Sequence, residues 1–167
     1  MKKMDKLYIC LLAMGLLYSC ETIEKKPQKV MQISIVNQGI YRAEIVGEGI
    51  NSANGLPITV VKKFDLVEKT NRIPIERGKR FGFYIFVNNT GMESIEVEIR
   101  IIHPEFFDPY MGALSSVNMS KMVIKDGTMR YEGYILEEDY EMVSGEWRFE
   151  VWYKGRMYTK QIFILEK

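Results

Sequence analysis

From Met31 onward apolar side chains alternate with polar ones, and no run of a dozen residues keeps the i, i+3, i+4, i+7 stripe of an amphipathic helix. A chain patterned in this way buries a face only as strands. Ile95, Val97, Ile99 and Ile101 alternate with Glu96, Glu98 and Arg100, and Trp147, Phe149 and Val151 alternate with Arg148 and Glu150. Each run predicts a strand with one buried and one wet face. Phe81, Phe83, Ile85 and Val87 are the expected partners across the core. Tyr84 and Phe86, on the other parity of that strand, imply that it is covered on both sides.

Strands are predicted over 31–35, 40–46, 58–66, 80–88, 95–102, 119–125, 129–136, 146–153 and 157–165, with Gln38-Gly39 interrupting the first two. Asn89-Thr90-Gly91, Asp126-Gly127 and Lys154-Gly155 each fall between two alternating runs. Asn, Asp and Gly accept the positive φ of tight turns, so at least three antiparallel hairpins are expected. Gly47, Gly49, Asn51, Asn54 and Gly55 read as a connecting loop ended by Pro57, and the last strand is a candidate sheet edge. Eight or nine short strands without crossover helices predict an all-β fold. It is read as an immunoglobulin-like antiparallel β-sandwich, with a small β-barrel as the alternative.

The start of the chain is of another kind. Lys2, Lys3 and Lys6 precede about a dozen mostly apolar residues, Leu7 to Tyr18, and the run ends at Leu17-Tyr18-Ser19-Cys20 before Glu21, Glu24, Lys25 and Lys26. The order is that of a secretory signal, and the apolar run is shorter than the roughly 20 residues a spanning helix needs. The Leu-x-Ser-Cys ending resembles the lipobox of bacterial lipoproteins. The resemblance implies removal of residues 1–19, lipidation of Cys20 and a flexible tether over 20–30, leaving one domain over 31–167. The expected location is the bacterial cell envelope, anchored by lipid, with the outer membrane favoured and the domain facing the periplasm or the cell surface.

Loss of three Lys and one Asp with that segment takes the net charge from +1 to near −1. Nucleic-acid binding, which demands a basic patch, is not expected. Cys10 and Cys20 are the only cysteines, so packing alone must hold the domain. His103 is the only histidine, which excludes metal centres built on several imidazoles.

Gly39-Ile40-Tyr41, Thr70-Asn71-Arg72-Ile73-Pro74, Gly78 and Phe81-Gly82-Phe83-Tyr84 come in order along the chain. Pro104, Pro109, Gly145-Glu146-Trp147, Gly155 and a last apolar strand follow. In that order and spacing the chain resembles an uncharacterised bacterial secreted family, a domain of unknown function with an immunoglobulin-like fold. The resemblance implies the fold over most of 31–167 and no activity, substrate or catalytic residue.

Candidate chemistry is sparse. His103-Pro104-Glu105-Phe106-Phe107-Asp108-Pro109-Tyr110 gathers an imidazole, two carboxylates and three aromatics in what reads as a proline-bounded loop. His103, Glu105 and Asp108 could make a general base or metal ligands, but no activated nucleophile accompanies them. The preferred reading is structural, with Phe106 and Phe107 capping the open end of the sandwich. Glu137, Glu138, Asp139 and Glu141 lack the alternate-position spacing of a calcium loop and read as a solvated acidic loop. Trp152 shares the outer parity of Arg148 and Glu150, where an indole could stack on a sugar or anchor a partner.

The expected function is a non-enzymatic, lipid-anchored module that binds an envelope protein or serves a structural role. Trp152, His103, Phe106, Phe107 and Tyr110 form its possible ligand or partner surface. A glycan-binding lipoprotein is the alternative, and a hydrolase built around His103 the weakest reading. No catalytic residue, metal site or cofactor is assigned.

Overall fold

A computed structural model describes residues 30–50 and 57–167. The segment read as a signal, Cys20, the stretch read as a tether up to Lys29 and the residues Asn51–Gly55 read as a connector lie outside the described residues. In order come β1 (Gln32–Ile50), β2 (Pro57–Glu68), β3 (Arg72–Pro74), β4 (Arg80–Asn88), β5 (Ser94–Asp108), β6 (Ala113–Lys125) and β7 (Thr128–Ile135). A 3₁₀ turn (Asp139–Glu141), β8 (Gly145–Tyr153) and β9 (Arg156–Glu166) complete the chain. They form two sheets, in the orders β2-β1-β4-β7 and β3-β9-β8-β5-β6. Neither sheet closes into a barrel, and every pairing is antiparallel except that of β3 with β9.

Strand parity decides which side chains are interior. Phe81, Phe83, Ile85 and Val87 from β4 meet Ile95, Val97 and Ile99 from β5 and Trp147, Phe149 and Val151 from β8, all at 3 % exposure or less. The centre of this core is aromatic: the Phe81 ring stands edge-on to Trp147, Phe149 and Phe163 at centroid distances of 5.9, 5.9 and 5.2 Å. Such edge-to-face pairs add about 0.5–1.5 kcal/mol each beyond the area they bury.

Several expectations need correction. The two runs at 31–35 and 40–46 are one strand, β1, which continues through Gly47 and Gly49 to Ile50 instead of ending in a loop. Its first half pairs with β4 and its second with β2, and register shifts near Val36–Gly39 and Ile40 mark the change of partner. The β1–β2 hairpin arches back over the outer face of its own sheet, because Phe64 of β2 stacks at 3.8 Å on Tyr131 of β7, the opposite edge strand. This roof covers Tyr84, whose hydroxyl donates to the Phe64 carbonyl at 3.1 Å, so β4 is covered on both sides as its pattern implied.

Of the three turns read as hairpins, only Lys154-Gly155 is one. Both of its residues have positive φ, 48° and 74°, as a two-residue turn of matching twist requires. Asn89-Thr90-Gly91 and Asp126-Gly127 carry the chain from one sheet to the other. They are tied together by Thr90 N–H donating to Asp126 Oδ1 at 3.0 Å, and Gly127 N–H bonds the Val87 carbonyl at 2.9 Å. The last strand is only in part an edge, since β3, unrecognised in the sequence, pairs with Ile164–Glu166 at its end.

Candidate functional site

The stretch read as a proline-bounded loop is mostly strand: β5 runs to Asp108 and β6 starts at Ala113. Pro104 is accommodated because the register with β6 slips between Ile102 and Phe106, and a bulge does not need the missing N–H. His103 continues the inward parity of Ile99 and Ile101. It is 4 % exposed, with its ring 4.4 Å from Phe106 and 4.8 Å from Trp147. Its Nδ1 lies 2.9 Å from the Pro104 carbonyl, while its Nε2 and the Trp147 Nε1 are buried with no protein partner. Burial lowers the imidazole pKa, against smaller opposing effects of the Pro104 carbonyl and Glu141.

The proposed triad does not assemble around that ring. Glu105 is exposed, and Asp108 Oδ1 accepts the Tyr110 and Met111 N–H groups at 2.8 and 3.2 Å, holding the β5–β6 turn. Phe106 packs inside at 8 % exposure, so neither it nor His103 belongs to the partner surface expected of them, and Phe107 does not cap the sandwich. It pairs across the hairpin with Leu114, and the two are 54 % and 63 % exposed beside Tyr110 at 82 % and Met111 at 72 %. Residues 109–120 carry no charge. The tip of the β5–β6 hairpin is thus an apolar knob.

The acidic stretch is more ordered than a solvated loop. Glu141 accepts the Tyr134 hydroxyl at 2.6 Å and the Glu137 and Glu138 N–H groups at 2.9 and 3.0 Å. Tyr140 of this 3₁₀ turn packs 5.6 Å from Phe106, which sets the acidic corner beside the hairpin tip. Among the described residues no group of three His, Cys, Asp or Glu side chains is placed to hold a metal.

Trp152 lies on the outer face, as parity predicted, within a polar layer. Its Nε1 donates to Glu150 Oε2 at 2.9 Å, and the Arg100 guanidinium sits 4.1 Å from the ring centre. Glu150, although outward, is 9 % exposed because Arg148 and Trp152 both hold it. A recess of about 210 Å³ opens beside the indole, between Glu98, Arg100, Lys121 and Lys154.

One feature escaped the sequence reading. Beside the β1–β2 roof, where Phe64 stacks on Tyr131, lies an open groove of about 550 Å³ lined by those two rings, by Lys62, Lys63, Arg80 and Arg130, and by Glu132. Gly82 and Gly133, paired in β4 and β7, make room for the Tyr131 ring: a Cβ on Gly133 would lie 2.3 Å from the Tyr131 hydroxyl oxygen and 2.5 Å from the Phe81 carbonyl. Isolated glycines inside strands mark such close approaches, and that was the signal available in the sequence. At the groove wall burial raises the Glu132 pKa to about 7, against smaller opposing effects of the Gly133 N–H and Arg130.

Two facing sheets with sequential strands distributed between them define an immunoglobulin-like sandwich. A solved structure with that description, an immunoglobulin-like protein from Pseudomonas aeruginosa, is similar with a TM-score of 0.57 at 17 % identity, over 84 % of this chain and 100 % of that one. The chain belongs to the family described as a domain of unknown function, DUF3859, whose pattern it matches over residues 29–165. An alkylpurine DNA glycosylase from Pseudomonas fluorescens, bound to DNA with an abasic-site analogue, is similar only with a TM-score of 0.37 at 10 % identity, over 58 % of this chain and 28 % of that one. That likeness carries no argument. No curated protein matches the chain.

Proposed function

We propose that this is a non-enzymatic binding module, held to the bacterial envelope through a lipid on Cys20, that engages a protein partner with the tip of the β5–β6 hairpin. The observation that carries the reading is where the apolar tip lies. Gln32, at the start of β1, pairs with Asn88, next to the corner where β5 begins. From that corner β5 runs away for 15 residues, on the order of 45 Å at strand rise. Phe107, Tyr110, Met111 and Leu114 therefore stand at the end opposite the chain's entry, where a tethered domain meets a partner. Exposed clusters of this kind, with aromatic anchors, suit protein recognition.

The test has two parts. Intact mass and membrane fractionation of the native protein beside Cys20→Ala should show lipid mass on a chain starting at Cys20, lost in the variant. A photo-crosslinking residue at Tyr110 should give protein adducts in cells where one at Lys160, on exposed β9, does not. Equal adducts at the two positions would remove the tip from the reading.

Glycan binding at Trp152 is the second reading, favoured by the recess beside the indole. Arg100 occupies ring surface that a sugar would need, so glycan-array binding lost in Trp152→Ala is the result that would support it.

A further inference from the structure

The knob and the groove are complementary in shape class and in charge. Glu105 and Asp108 stand on β5 next to the apolar tip, and the Tyr140–Phe106 contact sets the corner of Glu137, Glu138 and Asp139 beside it, with Arg77 on Asp139 at 3.1 Å. The groove offers the converse, a stacked aromatic pair among four cationic side chains, with Glu132 as the acid in its lining. Lys62 and Lys63 are held at 2.9 and 3.0 Å by Glu44 and Asp65, whereas among the described residues Arg80 and Arg130 have no carboxylate partner. Arg80 lies over the Phe64 ring at 5.5 Å, and Arg130 donates to the Val123 carbonyl. The tip is at one end of the sandwich and the groove on its flank, so one copy cannot satisfy itself.

We infer that the occupant of the groove is the β5–β6 tip of a second copy of this chain, giving a heterologous contact that repeats from copy to copy. Tyr110 and Met111 enter against Phe64 and Tyr131, and the acidic corner faces Arg80 and Arg130. This deepens the reading of the tip as a binding surface and rests on it. A contact between unlike patches makes a ring if its rotation closes and a filament if it does not. The four apolar side chains of the tip make a small interface, which belongs to the weak class, and confinement of tethered copies to one surface raises the local concentration that such a contact needs.

Sedimentation velocity of the purified protein from about 10 µM to 1 mM, the range a weak contact spans, should show association that falls as salt rises. Tyr110→Ser with Met111→Ser should abolish it, as should Lys62→Glu with Arg130→Glu. All four side chains are exposed, so unchanged melting curves will show that both variants fold. Mixing the two variants should restore a dimer that stops at two, because each supplies the half the other lacks. A monomer throughout the range overturns the inference, and so does association that survives both variants and disappears with Val117→Lys on the β6 edge. If the protein is monomeric while Tyr110 still crosslinks to a different protein in cells, self-association fails and the binding-module reading stands.

Discussion

His103 and Glu132 make opposite contributions to stability across the same range of pH. The imidazole pKa is lowered from 6.5 in the folded state, so folding weakens as pH falls below about 6.5, where the unfolded chain takes up a proton that the buried ring refuses. The Glu132 pKa is raised from 4.5 to about 7, so its contribution is full below about 4.5 and is lost as pH rises through 7. The shift corresponds to up to about 3 kcal/mol at 1.36 kcal/mol per pKa unit. Denaturant unfolding of Glu132→Gln should gain stability of that order near pH 8 and almost none near pH 4. His103→Phe should flatten the loss of stability between about pH 6.5 and 5. The inward parity that identified Ile99 and Ile101 extends to His103, so its burial was legible in the alternation. The neighbouring prolines hid it, because a bulge inside a strand and a loop look alike in sequence.

Element boundaries follow the same logic. The alternating faces of β5 and β8 were legible because one polar and one apolar environment act on every second residue. The roof of the β1–β2 hairpin was not, since nothing local records that Phe64 meets Tyr131. Gly82 and Gly133 are what the arrangement demands of these strands. Gly82→Ala would drive a Cβ to 2.3 Å from the Glu132 carbonyl, and in so closely paired backbone it should cost about 3 kcal/mol or more in thermal unfolding. The two sheet-crossing corners resembled hairpins because both kinds of turn use Asn, Asp and Gly. Asp126→Ala, which frees the Thr90 N–H, should cost about 1 kcal/mol in the same measurement.

For the molecule as a whole, both cysteines lie before the described domain, and aromatic packing at Phe81, Trp147, Phe149 and Phe163 supplies the cohesion. Melting curves with and without reductant should therefore superimpose; a shift would show a disulfide through the N-terminal segment and count against a lipid on Cys20. The bent path of β1 has a mechanical consequence. The strand nearest the chain's entry is bonded along Gln32–Tyr41 to β4, at the middle of its sheet, and along Ile40–Ile50 to β2. A pull between that entry and the far hairpin tip runs along the strands, so the β1–β4 bonds are loaded together in shear and cannot open one at a time like a zipper. A domain strung between a surface and a load would resist extension at the residues where it is attached.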